Sequence, residues 1–238
     1  MTVLQSVEST NNYAIGMVHE GMAKHGNCWL AMEQTAGKGQ RGKTWKTSKA
    51  ENIVLSAVIE PSLIPLSHQF LLSMAIALGC FDFFKYYAGD ETRIKWPNDI
   101  YWRDRKAGGI LIENVIKASN WQFAVAGMGI NINQTIFAED LKNPVSLKQI
   151  TGKTFDIIEL SKELCTWIDT RYNALSAGTA GTIQAYNDVL FKRDEKVRLK
   201  VETAVFETEI RRVSAEGKLI TFDTLERAFD VGDITWML

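Results

Sequence analysis

The five residues KWPND, at positions 95–99, are the most informative stretch of this sequence. Strand-forming residues lie on both sides, at positions 92–96 and 101–102, so the P-N-D step predicts a tight turn between two strands. Two glycine-containing stretches follow, RKAGGILIE at positions 105–113 and GMGININ at positions 127–133, and both are strand-like. Glycines within a strand let a ligand or another main chain approach closely, although a bulge would have the same composition.

A second stretch, GKGQRGKT at positions 37–44, matches both the phosphate-loop consensus and the dinucleotide-binding fingerprint. Both motifs need a helix that begins directly after the glycines, because the helix amides bind the phosphates. Here a polar segment leads into the β-branched run at positions 53–59, which predicts a strand. We therefore expect neither a phosphate-loop NTPase nor a dehydrogenase.

The same loop is dense in positive charge. Its clustered cations, together with glycines that free the main-chain amides, favour an anion-binding loop over a solvated hairpin. The cations are Lys38, Arg41, Lys43, Lys46 and Lys49. The loop alone does not identify the anion.

The composition of the whole chain limits the classes of protein to consider. It has 238 residues and a net charge of -1, which fits a globular protein and gives no sign of a nucleic-acid or membrane partner. The three cysteines are far apart and the N-terminus lacks the pattern of a signal peptide, so we expect a cytoplasmic protein. The longest apolar run, at positions 70–84, contains Asp82 and is too short to span a bilayer. The histidines and cysteines lack the spacing of metal ligands.

Local patterns predict a mixed α/β (α+β) domain followed by a small β module. Helices are expected at positions 9–24, 67–86, 156–175 and 182–191, and strands at 28–32, 53–59, 92–96, 109–115 and 121–132. After Arg193 the sequence changes to short alternating strands, which is typical of a small β-barrel or sandwich. We place the two domains at residues 1–191 and 192–238.

Taken together, these motifs resemble those of the biotin–protein ligases. The family's landmarks occur in order: Ser9-Thr10-Asn11, the glycine loop, KWPND, KAGGILIE and GMGININ. The likeness implies a catalytic domain similar to that of class II aminoacyl-tRNA synthetases, followed by a small SH3-like β-barrel. Because the first landmark is already at Ser9, we expect a short form without the N-terminal DNA-binding domain of some members, and no DNA partner.

Members of this family activate biotin with ATP and Mg²⁺ as biotinyl-5'-AMP and then transfer biotin to a lysine of a carrier. The resemblance implies this reaction here, with no tightly bound cofactor and with a biotin carboxyl carrier protein as partner, and it is compatible with a homodimer. The closest alternative is a lipoate–protein ligase or octanoyl transferase of the same superfamily. A nucleic-acid-binding module that uses the basic loop is another, which the near-neutral charge disfavours.

The resemblance also assigns roles to individual residues. Lys106, within KAGGILIE, corresponds to the lysine that contacts both carboxylate and phosphate, so it is the expected catalytic residue. The residues expected at biotin are Ser9, Thr10, Asn11, Gln34, Gly37, Lys38, Gly39, Gln40, Trp45, Lys106, Gly108 and Gly109. The residues expected at ATP or the adenylate are Lys38, Arg41, Lys43, Trp45, Lys95, Asn98, Lys106 and Asn131. No metal ligand from the protein is expected, and Asp99 is the candidate if there is one.

Several of these residues have a purely structural alternative. Ser9 and Thr10 fit a helix N-cap, Trp45 fits a core position, and Asp99 fits a turn cap. For Ser9 and Thr10 both roles are compatible, because a capping residue leaves its neighbours at the mouth of the helix.

Gln40 departs from the family pattern. Many relatives have an arginine at this position, and that arginine helps to retain the adenylate. Retention here would therefore depend on Lys38, on Arg41 or on main-chain amides.

Overall fold

Two β-sheets organise the structure, a computed structural model that describes residues 1–118 and 120–237. The larger sheet has the order β1-β2-β3-β7-β6-β5-β4, in which only the β1–β2 pair is parallel. Its strands are β1 (Thr2–Leu4), β2 (Cys28–Ala31), β3 (Asn52–Ile59), β4 (Thr92–Lys95), β5 (Asp99–Trp102), β6 (Arg105–Lys117) and β7 (Asn120–Asn131).

The smaller sheet is antiparallel and lies in the C-terminal part of the chain. Its order is β11-β10-β9-β8-β12. The strands are β8 (Lys196–Val201), β9 (Ala204–Val213), β10 (Leu219–Phe222), β11 (Glu226–Phe229) and β12 (Thr235–Trp236). Leu238, the last residue of the predicted β module, lies outside the described residues. The two sheets and their helices confirm the predicted mixed α/β class.

Within the described residues five α-helices accompany the sheets. They are α1 (Thr10–His19), α2 (Phe70–Ala88), α3 (Leu147–Thr151), α4 (Ile157–Ala174) and α5 (Thr179–Asp188). Helix α1 packs on one face of the larger sheet, and α2 and α4 pack on the other.

Strand β3 shows how the sequence builds this two-sided core. Ile53, Leu55 and Ile59 join the large cluster with α2 and α4, whereas Val58 packs with Ala14 of α1. All eight residues of β3 are buried. A strand covered on both faces is apolar throughout rather than alternating, which explains the continuous run that predicted it.

Helix α2 is the apolar helix expected from the sequence, and it lies in the core. Of the described part of the chain, it is the one helix with the length and composition to cross a bilayer, and 67% of its apolar window is buried. It begins at Phe70 rather than at residue 67, because residues 66–68 form a 3-10 turn after Pro65.

The first helix is shorter than predicted. It ends at His19 instead of near residue 24, and Gly21 adopts a left-handed conformation with φ 71°. The amides of Met22 and Ala23 both donate to the carbonyl of Met17, so the chain closes over the helix end. A left-handed glycine after the last turn is a common helix terminator.

Two strands, β1 and β11, and one α-helix, α3, were not predicted. Helix α3 has a capping box in which the Ser146 side chain accepts from the amide of Gln149 and the Gln149 side chain accepts from the amide of Ser146. The S-x-x-Q spacing of that box is visible in the sequence and could have located the helix.

The smaller sheet is fastened to the rest of the protein by hydrogen bonds and packing. The indole Nε1 of Trp96 donates to the carbonyl of Gly217 at 2.9 Å, and a Cβ at Gly217 would overlap the ring of Phe70. The Asn187 side chain also accepts from the amide of Val213 at 2.6 Å. KWPND therefore contacts the C-terminal sheet through its tryptophan.

The crossing of α2 and α4 generates a prediction on stability. A Cβ at Gly79 would lie 2.9 Å from the Cα of Ile168, whereas exposed Gly16 in α1 has no atom within 4 Å. We expect Gly79→Ala to lower the free energy of unfolding by about 1–2 kcal/mol through overpacking. Gly16→Ala, the matched control, should raise it by about 0.5–1 kcal/mol through helix propensity. Urea unfolding measures both, and shifts of the same sign would contradict the crossing geometry.

Candidate functional site

A cavity of about 1000 Å³ lies over strands β5, β6 and β7. The glycine loop, defined here as residues 37–46, covers one side of it. The segment 137–144 and the residues around β12 line the remaining sides. The cavity therefore draws on the C-terminal sheet as well as on the larger one.

One end of the cavity is polar and densely hydrogen-bonded. Buried Ser56, from β3, donates to the hydroxyl of Thr10 at 2.7 Å or to Oδ1 of Asn11 at 2.6 Å. Gln34 Oε1 accepts from the amide and the hydroxyl of Thr10 at 2.7 and 3.0 Å. Asn11 Nδ2 donates to Glu113 Oε2 at 2.7 Å. These bonds orient short polar groups that can pair with a polar ligand.

The N-terminus of α1 places this polar end. Ser9 is the N-cap, and its hydroxyl accepts from the amide of Asn12. Thr10 and Asn11 are thereby fixed in the first helical turn, facing the sheet. Ser9 lines the cavity as well, so in this structure its capping position and its place beside the cavity coincide.

Glycines form the floor of the cavity. Gly109 of β6 pairs with Gly129 of β7, and Gly127 lies two residues farther along β7. A Cβ at Gly127 would overlap the Asn11 side chain, and a Cβ at Gly129 would overlap the indole of Trp45. The missing side chains therefore make room for groups that pack directly on the strands.

Lys106 lies at the other end of the cavity. Its Nζ is 2.7 Å from Oδ1 of Asp99 and 5.6 Å from the centre of the Trp45 ring. The main chain of Lys106 is held by the following loop, since its amide donates to Asn143 and its carbonyl accepts from Val145, both at 2.9 Å. The ammonium group is thus directed into the cavity from a rigid strand.

Lys95 is surrounded by aromatic rings. Its Nζ donates to the hydroxyl of Tyr101 at 3.1 Å and lies 5.2 Å from the ring centre of Trp236. The pKa of Lys95 is lowered to about 8. Burial is the largest cause, the nearby positive charges of Lys106 and other lysines act in the same direction, and Asp99 opposes the shift.

Those other lysines are Lys43 and Lys142, whose charges also depress the pKa of Lys95. All four lysines line the cavity. Among the described residues neither Lys43 nor Lys142 has a carboxylate within 4.0 Å, so both remain available to an anionic ligand. The cavity thus has a polar end and a strongly cationic end.

Most cations of the glycine loop contact protein groups. Lys38 lies 3.8 Å from Glu113, at the polar end, and Lys46 lies 2.8 Å from Asp140. Arg41 donates to the carbonyl of Gly232 at 2.8 Å. The loop contains a single 3-10 turn, Gln40–Gly42, and the next regular element is β3, so it lacks the helix that a phosphate-loop motif needs.

The structure brings together nearly all residues assigned to the site from the sequence. Gly37 and Gly108 do not line the cavity. Gly37 packs against the main chain of Trp45, and Gly108 packs against the carbonyl of Gly129. The other assigned residues line it: Ser9, Thr10, Asn11, Gln34, Lys38, Gly39, Gln40, Arg41, Lys43, Trp45, Lys95, Asn98, Asp99, Lys106, Gly109 and Asn131.

Two of the assigned residues hold the main chain beside the cavity. The Asn98 side chain donates to the carbonyl of Ile110, and the Asn131 side chain donates to the carbonyl of Val145 at 3.1 Å. In this structure both amides therefore support the strand and loop that carry Lys106.

Sequence reasoning missed three contributors. Ser56 was missed because it lies within the apolar run of β3. Lys142 was missed because it lies in an irregular segment outside any motif. Trp236 belongs to the C-terminal sheet, and nothing in the sequence connects it to Lys95. The serine in the run IVLSAVI was a weak signal, because a fully buried hydroxyl needs a partner.

A glycine floor, a polar end and a cationic end thus define the cavity of this α/β protein, whose chemistry is complementary to a small molecule with polar and anionic parts. The chain belongs to the Biotin/lipoate A/B protein ligase family, whose sequence profile matches residues 3–131, more than half of its length.

Individual relatives agree with this placement. The "Bifunctional ligase/repressor BirA" of Bacillus spizizenii is 30% identical over 173 residues, 71% of this chain and 53% of that protein, so the chain spans about half the length of this relative. The "Biotin--[acetyl-CoA-carboxylase] ligase" of Paracoccus denitrificans is 32% identical over 161 residues, 65% of each chain. The solved biotin protein ligase of Aquifex aeolicus in complex with biotin and ATP has the same fold, with a TM-score of 0.82, 21% identity and coverage of 98% of this chain and 97% of that one.

The contact between Gly129 and Trp45 is testable by a double-mutant cycle. Gly129→Ala should cost about 1–3 kcal/mol of stability, because the new methyl group overlaps the indole. In a Trp45→Ala background the same substitution should cost less than about 0.5 kcal/mol, since the ring is gone. Denaturant unfolding of the four proteins measures the difference. Equal costs in both backgrounds would show that the ring does not rest on this strand.

Proposed function

We propose that the chain is an ATP-dependent ligase that activates biotin as biotinyl-5'-AMP and transfers biotin to a lysine of a biotin carboxyl carrier protein. One observation carries the proposal. The polar end, at Leu111 of β6, and the Lys106 side chain, which reaches the level of Gly109, lie only two strand residues apart. That separation is about 7 Å along the strand, so one small molecule can contact both ends.

The polar end suits the ureido ring of biotin. A ureido group has two N–H donors and one carbonyl acceptor, and the amides of Asn11 and Gln34 with the hydroxyl of Thr10, all of which line the cavity, offer both kinds of partner. Apolar residues lie between the two ends, where the aliphatic chain of biotin would run. They are Val54 and Leu111, whereas the side chains of Ile110 and Met128 belong to the core cluster on the opposite face of the sheet.

The first step brings two anions together. A carboxylate oxygen of biotin attacks the α-phosphorus of ATP, a new C–O–P bond forms, and the bond to the β-phosphate breaks with release of pyrophosphate. In this proposal Lys106 contacts the carboxylate and the α-phosphate, and Lys95, Lys43 and Lys142 offset the charge of the leaving group. Their position in the same cavity supports these roles.

Magnesium accompanies ATP in reactions of this kind and neutralises part of the phosphate charge. The carboxylates that line the cavity are Asp99 and Asp140, and each is already paired with a lysine. Asp99 is therefore assigned here to orienting Lys106.

In the second step the neutral amine of an acceptor lysine attacks the acyl carbon, the bond to the phosphate oxygen breaks, and AMP leaves with the proton released to solvent. The mixed anhydride is already activated, so the protein mainly positions the two groups. A biotin carboxyl carrier protein is the proposed acceptor, and the names of the biotin ligase relatives support it. The free thiols of Cys28, Cys80 and Cys165 support a cytoplasmic location.

The family also includes lipoate ligases, and the polar end favours biotin over lipoate. The dithiolane ring of lipoate has no N–H or carbonyl group, so it would leave the side chains of Thr10, Asn11 and Gln34 without ligand partners. Competition between labelled biotin and unlabelled lipoate in adenylate formation tests this choice.

The central test replaces Lys106. We expect Lys106→Ala to reduce biotin-dependent pyrophosphate release by roughly a hundredfold or more, because a fixed cation at the reacting groups is lost. Lys117→Ala, at the exposed far end of the same strand, is the matched control and should keep the wild-type rate. Circular dichroism confirms that both variants fold. Full activity in a folded Lys106→Ala protein would overturn the assignment.

The shifted pKa of Lys95 gives a pH dependence with a defined sign. Below about pH 8 Lys95 is mostly charged and attracts phosphate, and above it the charge is lost. Affinity for ATP should therefore fall above about pH 8, by up to about tenfold per pH unit. In Lys95→Arg this fall should be absent, because guanidinium keeps its proton. The affinity for ATP is measured for the wild type and for Lys95→Arg between pH 7 and pH 9.5. If the affinity depends on pH in the same way in both proteins, Lys95 is not the group responsible.

A further inference from the structure

The tip of the glycine loop touches the C-terminal sheet at one defined point. Arg41 has a left-handed backbone, φ 56° and ψ 42°, and its Nη1 donates to the carbonyl of Gly232 at 2.8 Å. Gly232 precedes β12 and has φ 103°. A Cβ there would lie 2.6 Å from Nη1 and 2.7 Å from Cζ of Arg41, so the guanidinium rests on the open face of the glycine.

Both partners have unusual backbone conformations. A non-glycine residue in the left-handed region is strained, and such strain persists only where surrounding contacts hold it. The main-chain hydrogen bonds within the loop are local, for example from Gly39 to Lys43 at 2.7 Å and from Trp45 to Gly37 at 2.9 Å. At the end of the loop the side chain of Lys46 donates to Asp140 at 2.8 Å. The Arg41–Gly232 bond instead joins residues that are 191 positions apart.

The partner that Arg41 bonds to matters for how a bound adenylate is retained. Gln40, next to Arg41, has no charge to offer to a phosphate. Arg41 in turn uses its guanidinium on a protein carbonyl, and a charge-assisted bond of this kind is stronger than a neutral one. The tip of the loop is thus tied to the C-terminal part of the chain by a contact between two residues at the cavity wall.

We infer that Arg41 and Gly232 form a latch that holds the glycine loop over the cavity and sets how long the biotinyl adenylate stays bound. The inference rests on the proposed function for the identity of the ligand. Arg41 is then a positioning residue, and the C-terminal sheet controls retention of the intermediate. When the latch opens, the loop lifts and the adenylate escapes into solvent.

The first test needs no ligand. Hydrogen exchange of amides in the glycine loop should accelerate by roughly tenfold in Arg41→Gln and in Gly232→Ala, because either change breaks the same bond. The double variant should show no further acceleration. Gly178→Ala is the matched control, since Gly178 also has a strained φ of 115° but no atom within 4 Å, and it should leave loop exchange unchanged.

The second test measures release of the adenylate. Preformed biotinyl-5'-AMP should leave both single variants roughly tenfold faster than the wild type, with the double variant matching them. Arg41→Lys should restore part of the retention, because an ammonium can still donate to the carbonyl. A faster release in Arg41→Gln alone, with wild-type behaviour in Gly232→Ala, would identify Arg41 as a phosphate ligand and overturn the latch.

The two tests separate the possible failures. If the wild type makes no biotinyl adenylate, the proposed function is wrong. The hydrogen-exchange experiment still tests the latch, because it needs no ligand. If the wild type makes it and the loop exchanges at the same rate in all variants, the latch fails and the proposed function stands. Additive effects of the two substitutions would likewise exclude a shared bond.

Discussion

The ion pair between Lys106 and Asp99 is the interaction on which the site depends. The two residues lie on neighbouring strands, β5 and β6, where the register shifts by a bulge, and their charged atoms are 2.7 Å apart. Lys95 lies near three further lysines, whose charges oppose its own, and the Asp99 carboxylate offsets that repulsion. The Asp99 carboxylate therefore reduces the repulsion among the lysines at the cationic end of the cavity.

Much of the fold follows from local sequence. The order of helices and strands was predicted correctly for the long elements, because each has a clear apolar period or a β-branched run. The segment after the glycine loop contains no helix, and β3 begins at Asn52, which agrees with the polar stretch seen there. That one difference separates this loop from the phosphate loops that it matches by spacing.

The site was predictable where residues belong to motifs and unpredictable where distant segments meet. The resemblance located Thr10, Asn11, Gln34 and Lys106, and the structure brings all four to the same cavity. It did not locate Lys142, which reaches the cavity only because the following residues bond to the main chain of Lys106. Contacts of this kind arise from tertiary folding, and no local pattern encodes them.

The same limit applies to the small C-terminal sheet. Its strands except β11 were predicted, but its contacts with the rest of the protein were not. Trp96 donates to Gly217 on one side of the KWPND turn, while Asp99 faces the cavity on the other. The C-terminal sheet therefore cannot be exchanged independently of the KWPND turn that it contacts. A chimaera that takes residues 192–238 from a relative would need a matching carbonyl opposite Trp96 and a glycine opposite Arg41, so these positions should have been inherited together.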